Sequence, residues 1–322
     1  MKHIFAADIG GTNSRFGHFT VNALNELSFV DVQWLKTAEV ESFSELLGNL
    51  RATGFPLLPE VADLAVFAVA GPVEDGLLSR PPLISWDIDL SDLQRTMGPG
   101  RCLLINDFVA QAFACCSEAG ERAEVILPGR SVAGAPIAVI GAGTGLGKSL
   151  LLHDGRGGHR AVPSEGGHAN FPFVTDREYA YQEFLLRRLR GQYVTGNTVV
   201  SGTGLSYLHH FLTGRKKDPG EVAQEFSLYP ETLAWAAKFY GRVCRNYVLD
   251  TLALGGLYIA GGLAAKAPEL LRHPAFDNEF RSSDTMAFLL AAVPVSLISD
   301  ENSGLWGAAV LARQTLREAG DA

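Results

Sequence analysis

Four short stretches hold the residues able to do chemistry. In "AADIGGTNSRF" (6–16) a carboxylate, Asp8, sits within an apolar strand pattern just ahead of Gly10-Gly11-Thr12. A charge in that setting needs a partner. A turn-initiating role supplies one. So does a metal ion beside bound phosphates, with Thr12 and Asn13 donating to phosphate oxygens from the turn. In "CLLINDFVAQAFACC" (102–116) Asp107 stands where an apolar strand gives way to helical spacing. It reads as the helix N-cap, as a general base, or as both, because ligands of open α/β sheets gather at strand C-termini. "PSEGGHANF" (163–171) sets Glu165 and His168 on either side of two glycines. One acceptor and one donor/acceptor on a turn suit neighbouring sugar hydroxyls; the plain alternative is a surface loop with a capping carboxylate. "IAGGLA" (259–264) is a tight strand-to-helix turn whose Gly261 and Gly262 would let an adenine or ribose lie against the backbone.

A fifth stretch, "IGAGTGLGKS" (140–149), fits a relaxed phosphate-loop pattern ending in Gly147-Lys148-Ser149. That loop requires a helix straight after Lys-Ser, because the helix N-terminus holds the phosphates. Here "LLLHDG" follows, a strand-length apolar run closed by a turn signal. The pattern is therefore read as a glycine hairpin whose amides approach a phosphate, with Lys148 as a strand residue.

The elements that position these residues follow from periodicity. Residues 3–21 and 136–155 each read as strand, glycine turn, strand; 61–73 reads as a buried strand running into a Gly-Pro turn. Helical spacing covers 176–212, broken near 191–198, and then 228–254 and 304–320. Residues 255–270 read as strand, Gly-Gly turn and helix, and 293–299 as a late strand. The two hairpins echo each other, with Gly11-Thr12 aligned on Gly143-Thr144, which suggests two similar half-molecules. A chain of 322 residues exceeds the usual single core, so two domains are expected. The net charge of −8 argues against nucleic-acid and anionic-membrane partners. Four cysteines without a CxxC exclude a disulfide scaffold and a structural zinc, and Cys115-Cys116 are expected to be buried thiols. The apolar stretch at the N-terminus is short and broken by Asp8, so neither a signal peptide nor a membrane span is expected, and the cytoplasm is the expected compartment.

Together "DIGGTNSR", "INDFVAQAFA", "GAGTGLG", "PSEGGH", "SGTGL" (201–205) and "IAGGL" resemble, in content and order, the bacterial glucokinase family of the hexokinase/actin/chaperone-ATPase superfamily. The resemblance spans nearly the whole chain. It implies an α/β, two-domain actin-like (ribonuclease H-like) ATPase fold with an interdomain cleft that closes on sugar. The small domain would hold 1–116 plus 304–322, and the large domain 117–303. It implies a kinase that takes ATP and Mg2+ and phosphorylates glucose at the 6-hydroxyl. Asp107 would be the base; Asn106, Glu165 and His168 would bind the other hydroxyls. Gly10, Gly11, Thr12 and Asn13 would meet the phosphates from one side and Gly143, Thr144 and Gly145 from the other. Asp8 would position magnesium, Gly261 and Gly262 would lie near adenosine, and a homodimer is the common assembly.

Three departures stand out. Asn197 occupies the position, four before Ser201, where family members commonly carry a sugar-binding glutamate. Losing that charge assistance would cost about 1–2 kcal/mol, or about ten- to thirtyfold in affinity. A kinase for another hexose is therefore the alternative within the class. "RPPLISW" (80–86) lacks an asparagine often found before the tryptophan, and Lys148 is unusual after the glycine turn. A non-catalytic sugar sensor would lack the base or carry a basic DNA-binding segment, and neither feature is present. A phosphohydrolase would not need the "PSEGGH" loop. ATP, ADP and polyphosphate all remain open as donors on the residues alone.

Overall fold

A computed structural model describes residues 1–320. The chain opens with β1 (Lys2–Ile9), β2 (Asn13–Val21) and β3 (Leu27–Lys36), followed by α1 (Phe43–Ala52) and β4 (Leu64–Val69). Three two-residue strands, β5 (Val73–Glu74), β6 (Leu78–Ser79) and β7 (Ile88–Asp89), form a small separate sheet. Then come α2 (Ser91–Met97), β8 (Cys102–Asn106), α3 (Asp107–Ala114) and α4 (Glu118–Glu121). The middle of the chain holds β9 (Glu124–Leu127), β10 (Ile137–Ala142), β11 (Leu146–His153) and β12 (His159–Ser164). Helices α5 (Asp176–Leu189), α6 (Gly196–Val199), α7 (Gly202–Thr213), α8 (Pro219–Gln224) and α9 (Pro230–Thr251) follow. After β13 (Gly256–Ala260) come α10 (Gly262–Lys266), α11 (Glu269–Arg272), α12 (Pro274–Phe280), α13 (Ala287–Ala292) and β14 (Val295–Leu297); α14 (Ser303–Gly320) ends the described chain.

These elements fall into two compact units, Met1–Arg122 with Asp300–Ala322, and Ala123–Ser299. The divisions lie a few residues from the bounds drawn on sequence, because α4 packs on α14 and so stays with the first unit.

In the first unit the sheet order is β3-β2-β1-β4-β8. β1, β2 and β3 form an antiparallel meander, while β4 and β8 run parallel to β1. β4, "LAVFAV", is buried at every position, as a central parallel strand covered on both faces must be. One face packs Phe5, Phe67 and Phe16 with Phe43 and Leu46 of α1. α14 packs against α3, β1 and β4, burying nine of its residues from Ser303 to Ala312.

In the second unit the order is β12-β11-β10-β13-β14-β9. Again a meander (β12, β11, β10) continues into parallel strands, β13 and β14, with β9 antiparallel at the far edge. α9 supplies the largest share of its core through Tyr240, Val243, Cys244 and Tyr247. The shared order of the two sheets gives structural content to the sequence echo between the glycine hairpins.

The cysteines are all free thiols. Cys102 and Cys244 are buried, whereas Cys115 and Cys116, expected inside, are half-buried just past the end of α3. Among the described residues no helix is long and apolar enough to cross a membrane.

Candidate active site

Asp8, Gly10–Asn13, Asn106, Asp107, Gly143–Gly145, Gly261 and Gly262 lie at the C-terminal ends of β1, β8, β10 and β13, where loops leave the sheet; Glu165 and His168 follow the edge strand β12, and Asn197 lies in α6. In the first unit β1 turns through Gly10–Thr12 into β2, with the Gly10 N–H bonded to the Asn13 carbonyl at 3.1 Å. Asn13 Oδ1 accepts from Lys36 Nζ at 3.0 Å. Asp8 pairs across the hairpin with Arg15, whose Nη1 lies 3.0 Å from Asp8 Oδ2. The Arg15 guanidinium in turn stacks 4.2 Å from the Trp34 ring centre on β3. α14 begins against the same carboxylate: a β-carbon on Gly304 would fall 2.8 Å from Asp8 Oδ2, so only glycine fits there. Burial pushes the Asp8 carboxyl upward, and Arg15 opposes that. The partner that sequence logic required for Asp8 is thus protein-borne: an arginine and the positive end of an 18-residue helix.

At the end of β8 the two candidate roles divide between neighbours. Asn106 is the N-cap of α3, its Oδ1 accepting from Phe108 N–H at 2.9 Å and its Nδ2 donating to the Gly71 carbonyl at 3.1 Å. Asp107 is the first helical residue, with Oδ1 also 2.9 Å from the Phe108 N–H. The cap reading offered for Asp107 therefore belongs to Asn106.

In the second unit Lys148 and Ser149 lie inside β11, paired with β10 and followed by no helix, so the phosphate-loop pattern is a hairpin. The Gly143 N–H closes the turn on the Gly145 carbonyl at 2.8 Å, and the Gly143 carbonyl accepts from Gly202 N–H at 2.9 Å, which ties the turn to α7. Thr144 is exposed at the tip. A side chain on Gly143 or Gly262 would meet no atom within 4 Å, so the backbone is open to close approach at both. Gly261 has φ +91° and starts the turn into α10.

Glu165 and His168 bracket a short 3₁₀ turn, Gly166–His168. The Gly166 N–H bonds to Ser164 Oγ at 3.1 Å, and the His168 N–H to the Glu165 carbonyl at 2.9 Å. Both side chains are exposed, at 62% and 66%, with Glu165 Oε2 3.8 Å from His168 Nε2. Both therefore present their polar ends outward. Asn197, in α6, accepts from the Leu146 N–H at 2.6 Å. The acceptor must be the amide oxygen, because its partner is a donor. The start of β11 thereby gathers Asn197, the Glu165–His168 turn and the Gly143–Gly145 turn.

Sequence reasoning passed over two supporting groups. Arg15 was legible as the residue facing Asp8 once the hairpin register is counted. The buried network around Arg242 carried no local signal. Arg242 and Glu178 are each 1% exposed and paired at 2.6 Å; Arg242 also bonds Glu279 at 2.7 Å and the Pro172 carbonyl at 2.9 Å. Burial alone would raise the Glu178 carboxyl, but bonds from Arg242 and Lys238 and the Val174 N–H hold it at about 2. The network fixes the strand of chain that follows the Glu165–His168 turn.

The glucokinase family profile matches residues 5–315. The chain belongs to the glucokinase family. It is 31% identical to the glucokinase of Nostoc punctiforme over 97% of this chain and 99% of that protein. The crystal structure of a glucokinase from an Antarctic psychrotroph superposes with a TM-score of 0.81, at 27% identity, covering 98% of this chain and 99% of that one. A Streptomyces griseus ROK-family glucokinase, solved with glucose and AMPPNP, shares the fold at a TM-score of 0.62 and 18% identity, over 97% of this chain and 99% of that one. With family membership comes the fold class, the two-domain actin-like ATPase fold.

Proposed function

We propose that the chain is an ATP-dependent glucose kinase that phosphorylates the sugar 6-hydroxyl, with Asp107 as the base. Family membership over residues 5–315 supports the activity. The observation that carries the residue assignment is the end of β8, where Asn106 is the N-cap of α3 and Asp107 opens the helix at a strand C-terminus. Phosphoryl transfer asks of a protein mainly positioning, charge neutralisation and a base that orients the nucleophile. Asp107 takes the hydroxyl proton as the new O–P bond forms and the donor's diphosphate leaves. Glu165 and His168 hold the remaining hydroxyls. Asn106 keeps one amide hydrogen and one oxygen lone pair for the same purpose after its two structural bonds.

The turns Gly10–Asn13 and Gly143–Gly145 approach the donor's phosphates, and Gly261 and Gly262 its adenosine. The uncovered backbone at Gly143 and Gly262 suits such approach. Magnesium, when bound with the donor, would be held by the phosphates, with Asp8 as the hard oxygen ligand from the protein. When bound, the metal neutralises phosphate charge. A homodimer and a cytoplasmic place of action complete this reading; sedimentation velocity tests the dimer.

The deciding experiment is a steady-state Mg-ATP kinase assay across glucose, mannose, fructose, galactose and N-acetylglucosamine. Glucose turnover with half-saturation of about 1 mM or below is expected, within the usual range for such enzymes. A folded, nucleotide-binding protein that turned over none of the five sugars would overturn the proposal. A second reading, preference for another hexose, rests on Asn197. With one lone pair of its oxygen committed to Leu146, Asn197 offers a sugar an amide donor and one neutral acceptor, where the family glutamate accepts with charge. Preference for another sugar in the same panel would select it.

A further inference from the structure

Lys148 is a cation that neither the fold nor the proposed reaction has yet absorbed. It is 8% exposed. Its stem runs beneath Gly166: a β-carbon there would lie 3.3 Å from Lys148 Cδ and 3.5 Å from Nζ. The next residue, Gly167, is pressed on the same strand, since a β-carbon would fall 1.9 Å from the Leu146 carbonyl oxygen. Leu146 and Lys148, two residues apart on one face of β11, thus form the floor of the Glu165–His168 turn. Lys148 also pairs in register with Ser164, whose hydroxyl anchors Gly166 N–H. The ammonium lies 5.1 Å from the Tyr247 ring centre, and among the described residues it forms no hydrogen bond or ion pair. Burial pulls its pKa down, while Asp250 and Cys244 push the other way. A lysine whose stem is covered, and whose ammonium meets a ring and the underside of a turn, is not what a strand needs for stability. The placement is intelligible if the charge acts on what lies directly above it.

We propose that Lys148 is a positioning residue for sugar binding: its ammonium, seated under Gly166, holds the Glu165–His168 turn in the conformation that receives the sugar hydroxyls. The inference rests on the reading of that turn as the sugar site. It assigns Lys148 no contact with phosphate.

The test is steady-state kinetics and thermal unfolding of Lys148→Met, which keeps the length and removes the charge, with Lys148→Arg as the conservative variant and Lys148→Gln as a second neutral one. For Lys148→Met the half-saturation for glucose is expected to rise about tenfold, with kcat and the half-saturation for ATP within about twofold, the pattern of lost binding rather than lost chemistry. Lys148→Arg should recover at least half of that loss on a logarithmic scale. The Met variant should melt at or above the wild-type temperature, because a partly desolvated ammonium has been replaced by an apolar chain. A merely structural lysine would instead lower the melting temperature and leave the glucose half-saturation unchanged, which overturns the proposal. So would a collapse of kcat with weakened ATP, which makes Lys148 a phosphate ligand. Should Met not fold, Gln is read in the same way. Glu165→Gln is measured in parallel. If it leaves glucose half-saturation unchanged, the sugar-site reading itself fails. If it raises half-saturation while both neutral Lys148 variants match wild type, only the role of Lys148 fails.

Discussion

In the first unit the strand pair around the glycine turn sets Asp8 opposite Arg15; in the second the corresponding pair is Ile140 opposite Lys148. The topology is shared: an antiparallel meander runs into parallel strands, with the turn at the strand ends. The treatment of the cation differs. Arg15 is held by an acid at 3.0 Å and by an indole, and helps fix that acid in place. Lys148 faces an isoleucine, so its charge remains available to the turn that crosses above it. The same hairpin, given or denied one carboxylate, produces either a local ion pair or a support for a neighbouring loop.

The largest expected effect concerns where each unit keeps its strongest charges. The second unit buries Glu178 with Arg242 in its core, whereas the Asp8–Arg15 pair of the first lies beside the Gly10–Thr12 turn. Glu178→Gln leaves Arg242 short of its main partner and should cost about 3–5 kcal/mol of stability at pH 7, measured by denaturant titration. The sign with pH follows from a carboxyl held at about 2, below its ordinary 4.5. The contribution is full above about pH 4.5 and is lost as pH falls toward 2, so the wild type–variant difference should shrink across that window. A pH-independent difference would mean that packing, not charge, holds α5 to α9.

The next test asks whether chemistry resides in the first unit. Asp107→Asn should lower kcat by at least about a hundredfold while the protein remains folded, as expected for loss of a base. Near-normal turnover would remove Asp107 from that role. A smaller effect sharpens the second unit's part. Asn197→Glu should lower the glucose half-saturation about tenfold if charge assistance is what this position lacks. No change would mean that position 197 serves only to bind Leu146 N–H. The smallest effect returns to the paired cation. Arg15→Met removes the group that lowers the Asp8 carboxyl, so Asp8 should protonate at higher pH. The acidic limb of the kcat–pH profile should shift upward; an unmoved limb would show that Asp8 does not report on turnover.

The glycine turns and their strands were legible because apolar runs of strand length met small residues at each end. β4 and β10 are buried almost throughout and read as continuous apolar segments. β3 was not legible: as the sheet edge its residues are exposed or half-buried, and no clean alternation survives. Asp107 could be recognised as a candidate, but the capping role of Asn106 could not, since it rests on a second bond to the Gly71 carbonyl, 35 positions away. Asn197 was marked as a departure from the family pattern. Its bond to Leu146 spans 51 positions of sequence, and no local pattern encodes that. Lys148 was correctly set aside as a phosphate-loop lysine, yet its place beneath Gly166 depends on a third strand, β12, that periodicity left unassigned.

One further consequence lies in the order of synthesis. The first unit is made of the beginning and the end of the chain, and α14, which covers β1, β4 and α3, is its closing piece. A ribosome must therefore make the whole of the second unit before the first can cover that face. Until then the apolar backs of β1 and β4 stand open, and the half-molecule begun first is the one completed last.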